Sequence, residues 1–263
     1  MNIVKLGFFG CALLTSGCSS AYDSAPIDPP KKNNKWITIQ GVIPPHVSAN
    51  IYPQYRSTVC KKPRAMSDGT VGTTDNLSEY KITVLPDTDG SYQGKVALYG
   101  GSHCDWLLYN IVFFTHPKSI DKYIYALPIE YRNIDFKITG ESVNVPIIKT
   151  DDSYISQTIK LQENYYPVFS FKLPIKNGLG KTLFIEKIDK ISKKYKFNYN
   201  ESVSHELGFI TYSPTIDERY VVYKKSTGKN ITNNVVIENH YPNGSVGINE
   251  FSLRPYKFYD NNK

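Results

Sequence analysis

The chain has five histidines, the residue type best suited to metal binding and acid–base chemistry: His46, His103, His116, His205 and His240. A zinc protease helix needs a second histidine four residues after the first, with a glutamate following the first. His205 is followed by Glu206, but Phe209 stands where the second histidine would be. The histidines therefore predict no metal site.

The sequence also lacks motifs for nucleophilic or cofactor chemistry. It contains no Gly-x-Ser-x-Gly turn, no phosphate-binding Gly-x-x-x-x-Gly-Lys-Ser/Thr loop and no dinucleotide-binding glycine pattern. Residues 243–247 superficially resemble the first of these, but a hairpin turn is the better interpretation. Asp87 and Asp89 could pair as catalytic or cation-binding carboxylates, but in an Asp-x-Asp-Gly turn we expect them to cap the backbone. We expect no catalytic residue, no cofactor and no enzymatic activity.

Residues 1–17 have the pattern of a bacterial signal peptide. Lys5 supplies an early positive charge, residues 6–14 are apolar, and residues 15–17 are small. The apolar stretch is shorter than the roughly 20 residues of a membrane-spanning helix. We therefore expect this segment to be removed.

Cys18 follows this segment directly. The run containing Leu13, Leu14, Gly17 and Cys18 resembles the lipobox of bacterial lipoproteins, with Thr15 where the family prefers leucine. The resemblance implies cleavage before Cys18 and lipidation of that cysteine, and two acyl chains make a stable membrane anchor. By resemblance to enterobacterial sorting rules, Ser19 implies the periplasmic face of the outer membrane. The alternative is an ordinary secretory cleavage nearby that leaves Cys18 as a free thiol.

Residues 18–35 are predicted to be the acylated cysteine and a flexible tether. The segment has three prolines and little apolar content, so it cannot offset the entropy of ordering. Fully extended, it would reach about 55 Å.

Cys60 and Cys104 remain once Cys11 is removed with the signal peptide and Cys18 is acylated. A pair of cysteines in an oxidising compartment predicts one disulfide. Two separate buried thiols are the alternative, and a zinc site lacks histidines at the usual spacing.

The predicted mature chain has 30 basic residues, since Lys5 is lost from the total of 31, and 24 acidic residues. The net charge of +6 would attract anionic lipids or acidic protein surfaces. An envelope location argues against nucleic acid as a partner. A solvated sheet surface explains the dispersed charges without any partner.

Apolar residues recur mainly with period two, which indicates half-buried strands. Residues 80–99 are predicted to form a hairpin about the turn at 87–90, and residues 106–114 a central strand that is apolar on both faces. Between residues 181 and 197 the spacing is helical instead, through Phe184, Ile188, Ile191 and Tyr195.

These patterns predict a mainly β protein. We expect a two-layer antiparallel β-sandwich over residues 36–150, closed by the disulfide, and a second β-rich domain with one helix over residues 151–263. The polar segment 149–153 marks the predicted boundary.

Exposed aromatic side chains often carry protein recognition because they bury a large area at a small entropic cost. The candidates for partner binding are Tyr165, Tyr166, Tyr220, Tyr223 and Tyr241. The alternative is that these tyrosines are simply good strand formers.

Two segments resemble a known family: residues 55–60, with Tyr55, Arg56, Ser57 and Cys60, and residues 98–108, with Gly100, Gly101, Cys104 and Trp106. They resemble Gram-negative lipoproteins encoded beside type VI secretion effectors, notably lipases. The resemblance covers roughly residues 36–145 and implies an immunity role, in which the lipoprotein binds and blocks an incoming toxin. It implies no site residues. A structural or assembly lipoprotein of the envelope and a secreted hydrolase are the alternatives.

Overall fold

The computed structural model describes residues 25–129, 132, 136–151, 158–172, 180–187, 194–200, 202, 206–219, 221–228, 235–241 and 244–248. Cys18 and the signal peptide lie outside the described residues. No helix in the described part of the chain is long and apolar enough to cross a membrane.

Strands account for nearly all the regular structure of the described residues, which confirms the mainly β prediction. The elements are β1 (Trp36–Val42), β2 (Val47–Ala65), β3 (Val71–Glu79), β4 (Ile82–Thr83), β5 (Ser91–Ala97), β6 (Tyr99–Gly101), β7 (Trp106–Pro117), α1 (Asp121–Ile124), β8 (Lys137–Ile138), β9 (Glu141–Lys149), β10 (Thr158–Leu161), β11 (Asn164–Lys172), β12 (Gly180–Lys187), β13 (Phe197–Tyr199), β14 (Glu206–Tyr212), β15 (Thr215–Ile216), β16 (Val222–Gly228), β17 (Val235–His240) and β18 (Val246–Ile248).

The strands form three sheets. The first has the order β10-β14-β1-β5, and the central sheet has the order β13-β9-β7-β2-β3, with β4 beside β2 and β6 beside β7. The third has the order β18-β17-β16-β11-β12-β8, with β15 beside β11. Several neighbours are parallel, including β1 with β14 and β13 with β9. The sheets are therefore mixed, whereas the sequence predicted antiparallel layers.

The predicted boundary at residue 150 does not separate the sheets. Each sheet pairs a strand from before residue 150 with a strand from after it: β1 with β14, β9 with β13, and β8 with β12. Period-two alternation identifies strands but carries no information about such distant partners.

The helix predicted for residues 181–197 is wrong over residues 181–187. These residues form β12, which pairs antiparallel with β11 from Tyr165↔Lys187 to Lys172↔Gly180. Leu183 and Ile185 are buried on one side of that strand, so long-range pairing overrides the helical spacing. Residues 188–193 of the prediction lie outside the described residues.

The hairpin predicted for residues 80–99 is also wrong, although its turn is present. Gly90 donates to the carbonyl of Asp87, and the backbone N–H of Ser91 donates to the Asp89 carboxylate at 2.9 Å. The two flanking strands separate, because β4 pairs with β2 and β5 pairs with β1. The predicted capping role of Asp89 is confirmed.

Strand β7 is the centre of the fold, as predicted. It pairs with β2 on one side and β9 on the other. Trp106, Leu108, Ile111 and Phe113 point inward and are almost fully buried. Phe113 meets Tyr212 of the first sheet with ring centroids 4.7 Å apart, so strands from both halves of the chain share one core.

Residues 25–35 were predicted as part of a flexible tether, but they lie against the folded body. Ile27 packs on the core, and Asn34 is 2% exposed. We call residues 25–35 the strap. The few apolar residues of the segment gave no indication of this docking, because it depends on contacts with β6 and β7.

Candidate functional site: an open aromatic face on the central sheet

The outward side of β3, β2, β7 and β9 forms a continuous surface. Alternation along the strands sends every second residue away from the core, where most side chains are half-buried or exposed. We call this surface the open face, and it comprises Leu77, Glu79, Tyr52, Gln54, Arg56, Leu107, Tyr109, Asn110, Val112, Phe114, Asn144, Pro146 and Ile148.

A row of polar side chains crosses the open face at right angles to the strands. Gln54 Nε2 donates to Glu79 Oε2 at 2.7 Å, and Asn110 Nδ2 donates to Gln54 Oε1 at 2.7 Å and to Asn144 Oδ1 at 3.3 Å. Asn110 Oδ1 is buried and has no hydrogen-bond partner. A buried acceptor without a donor costs free energy, and because this oxygen is buried it is not a contact point for a partner.

Tyr109 and Arg56 lie at one end of this row. The register between β2 and β7 shifts at Gln54/Tyr55, which places Tyr109 in a bulge opposite those residues. The Arg56 guanidinium carbon lies 5.9 Å from the centre of the Tyr109 ring, and Arg56 Nε lies 3.8 Å from Asp75 Oδ2. This geometry is a cation–π contact held at the protein surface.

The environment keeps Tyr109 protonated. Partial burial raises the pKa of its hydroxyl, the charge of Glu79 raises it further, and Arg56 offsets part of the rise. The hydroxyl lies 3.5 Å from Gln54 Oε1. It can serve as a donor to a partner.

The open face contains a shallow depression of about 220 Å³, lined by Tyr52, Gln54, Glu79, Val112 and Phe114. Small-molecule pockets are usually about 300–1,000 Å³. A depression of this size fits one or two side chains of a protein partner. Tyr, Arg and Phe around a hydrogen-bonding floor are the composition typical of protein-binding hot spots.

The tyrosines predicted to contact a partner are mostly buried, which is a correction to that prediction. Tyr165 and Tyr166 are fully buried and Tyr241 is 4% exposed. The first two lie on β11, which has β16 and β12 as neighbours on either side, and Tyr166 donates to Glu186 at 2.8 Å. A buried side chain cannot contact a partner.

Of the two remaining tyrosines, Tyr223 is half-buried and stacks on His240 with ring centroids 4.1 Å apart. Tyr220 lies outside the described residues. The four described candidates, Tyr165, Tyr166, Tyr223 and Tyr241, are not part of the open face.

The sequence prediction missed Tyr52, Tyr109 and Phe114. Residues 106–114 were interpreted as apolar on both faces, yet Tyr109 and Asn110 interrupt that run. Adjacent polar and amphipathic residues within a central strand were the indication that one of its faces is open.

The disulfide prediction is confirmed. Cys60 and Cys104 are bonded, with their Cα atoms 5.1 Å apart. Cys60 lies inside β2, in the irregular stretch between Ser57 and Lys62 where the β2–β3 register shifts. His103 lies beside the disulfide, so that three potential metal-ligand atoms fall within 4.8 Å of one another. Both sulfur atoms are already committed to the disulfide.

Comparison of the chain with protein-family models, with curated proteins and with solved structures gave no match. The resemblance to immunity lipoproteins therefore stays a prediction based on the two segments quoted above.

Proposed function

We propose that this chain is a lipoprotein, anchored through Cys18 on the periplasmic face of the outer membrane, that binds and neutralises a secreted toxin. The proposed toxin is a phospholipase effector of type VI secretion. The open face is the proposed binding surface.

The observation that carries this proposal is the arrangement of Tyr109 and Arg56 beside the hydrogen-bonded polar row of the open face. An aromatic ring and a guanidinium lie together on the paired strands β2 and β7, next to Gln54 and Glu79. Side chains fixed on a rigid sheet lose little entropy on binding. Stoichiometric inhibition requires such a surface.

The disulfide supports a role outside the cytoplasm, since such bonds persist in oxidising compartments. The lipobox-like run ending at Cys18 supports a membrane anchor in the same compartment. Together they support the proposal that the binding surface lies in the periplasm, where a delivered toxin would act.

The test is genetic complementation. A strain deleted for this gene but retaining the neighbouring effector gene should poison itself, and the wild-type gene should restore growth. Arg56→Glu combined with Tyr109→Ala should fail to restore growth at equal protein level.

A matched control is available. Arg132 lies 5.9 Å from the ring centre of Tyr125, which is 75% exposed and outside the open face. Arg132→Glu combined with Tyr125→Ala should restore growth fully. No self-poisoning in the deletion strain would contradict the toxin-neutralising role and favour a structural lipoprotein of the envelope. Equal failure of both double variants would contradict the assignment to the open face.

A further inference from the structure

The strap holds the N-terminal end of the described chain beside the disulfide. Trp106 Nε1 donates to the carbonyl of Ala25 at 2.9 Å, and the backbone N–H of Asp28 donates to Gly100 at 2.8 Å. At Gly101, which has φ +68°, a Cβ atom would lie 2.3 Å from the Asp28 carbonyl oxygen. Only glycine fits this close approach.

Asn34 fastens the other end of the strap. Its Nδ2 donates to the carbonyl of Tyr99 at 2.8 Å, and its Oδ1 accepts from the backbone N–H groups of Tyr99 and Lys35. The strap is thus attached to β6 and β7 along its length. Ala25 is seven positions after Cys18 in the sequence, so this connection spans at most about 25 Å.

A hairpin arm projects from the same end of the molecule. Residues 58–74, which we call the arm, begin next to Cys60 and continue the β2–β3 ladder beyond the central sheet. Except for Cys60 and the half-buried Gly72, every residue of the arm is exposed. The backbone N–H of Met66 donates a hydrogen bond to the carbonyl of Thr70, which closes the turn. The Thr70 hydroxyl donates a hydrogen bond to the Asp68 carboxylate.

The arm has one cationic and one apolar side. Lys62 pairs with Thr74 and Arg64 with Gly72, while Pro63 pairs with Thr73 and Ala65 with Val71. Because successive residues point to opposite sides, Lys62 and Arg64 share one side, and Pro63, Ala65 and Val71 share the other. Val71 is 76% exposed.

Exposed charged residues lie in both the strap and the arm. Lys31 and Lys32 directly follow Pro30, whose Cδ would lie 3.1 Å from a Cβ on Gly101. Together with Lys61, Lys62 and Arg64, these lysines give five exposed cations against three exposed acids, Asp28, Asp68 and Asp105. The region carries a net positive charge next to an uncovered apolar surface.

We infer that the arm is a membrane-contacting element that lies on anionic lipid headgroups beside the anchor. This inference rests on the proposed acylation of Cys18, which would place the lipid within a short connection of the base of the arm. The cations would contact headgroup phosphates, and Val71 with its neighbours would enter the headgroup–acyl boundary. The interface of a bilayer fits an arm whose apolar side can face the acyl chains while its opposite, cationic side stays at the level of the headgroups.

The test uses the mature chain with Cys18→Ser, so that vesicle binding does not depend on acylation. We expect it to bind vesicles containing phosphatidylglycerol more tightly than vesicles of phosphatidylcholine alone, and to bind less tightly as salt is raised. Lys61→Glu, Lys62→Glu and Arg64→Glu together should weaken binding by about tenfold or more. Val71→Ser should weaken it by about threefold, since a partly inserted side chain loses part of its transfer energy.

The matched control reverses three exposed lysines elsewhere: Lys118, Lys137 and Lys160. This variant has the same net charge as the arm variant. If total charge determines binding, the two variants should bind within about twofold of each other. If the arm determines binding, the control variant should bind more tightly than the arm variant. Equal loss in both variants would therefore overturn the inference, as would no preference for anionic vesicles. Arm variants that bind vesicles normally but fail to neutralise the effector would show that the arm contacts a protein. Unchanged thermal unfolding in each variant excludes misfolding as the cause.

Discussion

The two sides of β7 differ sharply, although they share one backbone. Inward, Trp106, Leu108, Ile111 and Phe113 are at most 1% exposed. Outward, Leu107 is 36% exposed, and Tyr109, Val112 and Phe114 are half-buried around a polar row. The inward side is dry and apolar, and the outward side combines aromatic rings with hydrogen-bonding groups.

This difference separates residues that stabilise the fold from residues available for recognition. The inward residues exclude water and hold the first sheet against the central one. The outward residues bury less apolar area on folding, so stability constrains their residue types less and they can suit a binding partner. Substitutions on the two sides should therefore affect different measurements.

Replacing Trp106 should cause the largest loss of stability. Trp106→Ala would leave a cavity between the sheets and remove the indole N–H that donates to Ala25. We expect the free energy of unfolding to fall by about 3–5 kcal/mol, measured by urea denaturation. The neighbouring outward residue is the control: Leu107→Ala should cost less than about 1 kcal/mol. Similar losses for both would contradict the distinction between the two sides.

Removing the disulfide should have nearly as large an effect. It links residues 44 apart in the sequence, which corresponds to about 4 kcal/mol in the chain-entropy treatment. Cys60→Ala combined with Cys104→Ala should lower the denaturation midpoint by the equivalent amount, and the wild type under reducing conditions should match it. A double variant as stable as the oxidised wild type would show that the bridge constrains little.

Asn34→Ala should have an intermediate effect, because the side-chain amide of Asn34 forms hydrogen bonds with both the backbone N–H and the carbonyl of Tyr99. We expect a loss of about 1–3 kcal/mol, together with faster hydrogen exchange at the Tyr99 amide. Lys32→Ala, at an exposed position of the strap, is a control for changes in the segment itself. Unchanged exchange at Tyr99 would indicate that the strap is not held as described.

Glu206→Gln should give the smallest effect, confined to low pH. Burial raises the pKa of Glu206, but hydrogen bonds from Thr38 and Lys95 outweigh that effect and leave its pKa below the usual value. A depressed folded-state pKa contributes stability above the unfolded pKa, and that contribution is lost as pH falls through the folded pKa. Between about pH 5 and pH 3, the wild type should lose up to about 1 kcal/mol more than the variant. Parallel losses in both proteins would contradict the pKa shift.

The sequence predicted the strands, the central position of β7 and the disulfide, because alternation and cysteine pairing are local or compositional properties. It did not predict the sheet partners. The parallel pairing of β1 with β14 joins residues about 170 apart, and nothing in either segment specifies the other. The wrong helix prediction has the same cause, because β12 forms by pairing with β11, a partner that its own sequence does not specify.

The candidate site was misplaced for a related reason. Tyr165 and Tyr166 have the same residue type as Tyr52 and Tyr109, but Tyr165 lies in the hydrophobic core and Tyr166 is fully buried beside Glu186. Residue type indicates which side chains are suited to protein recognition, but the topology of the sheets decides which of them are exposed. The docking of the strap could not be predicted for the same reason, because its contacts with Gly101 and Trp106 join residues that are far apart in the sequence.

The most direct test of the account is the affinity for the proposed partner, a candidate effector encoded beside this gene, measured by calorimetry for three proteins: wild type, Tyr109→Ala and Tyr125→Ala. Hot-spot aromatic residues typically contribute about 2 kcal/mol or more. We predict that Tyr109→Ala weakens binding by about thirtyfold, whereas Tyr125→Ala stays within about twofold of wild type. Wild-type affinity in the Tyr109 variant, or equal loss in the Tyr125 variant, would contradict the assignment of recognition to the open face.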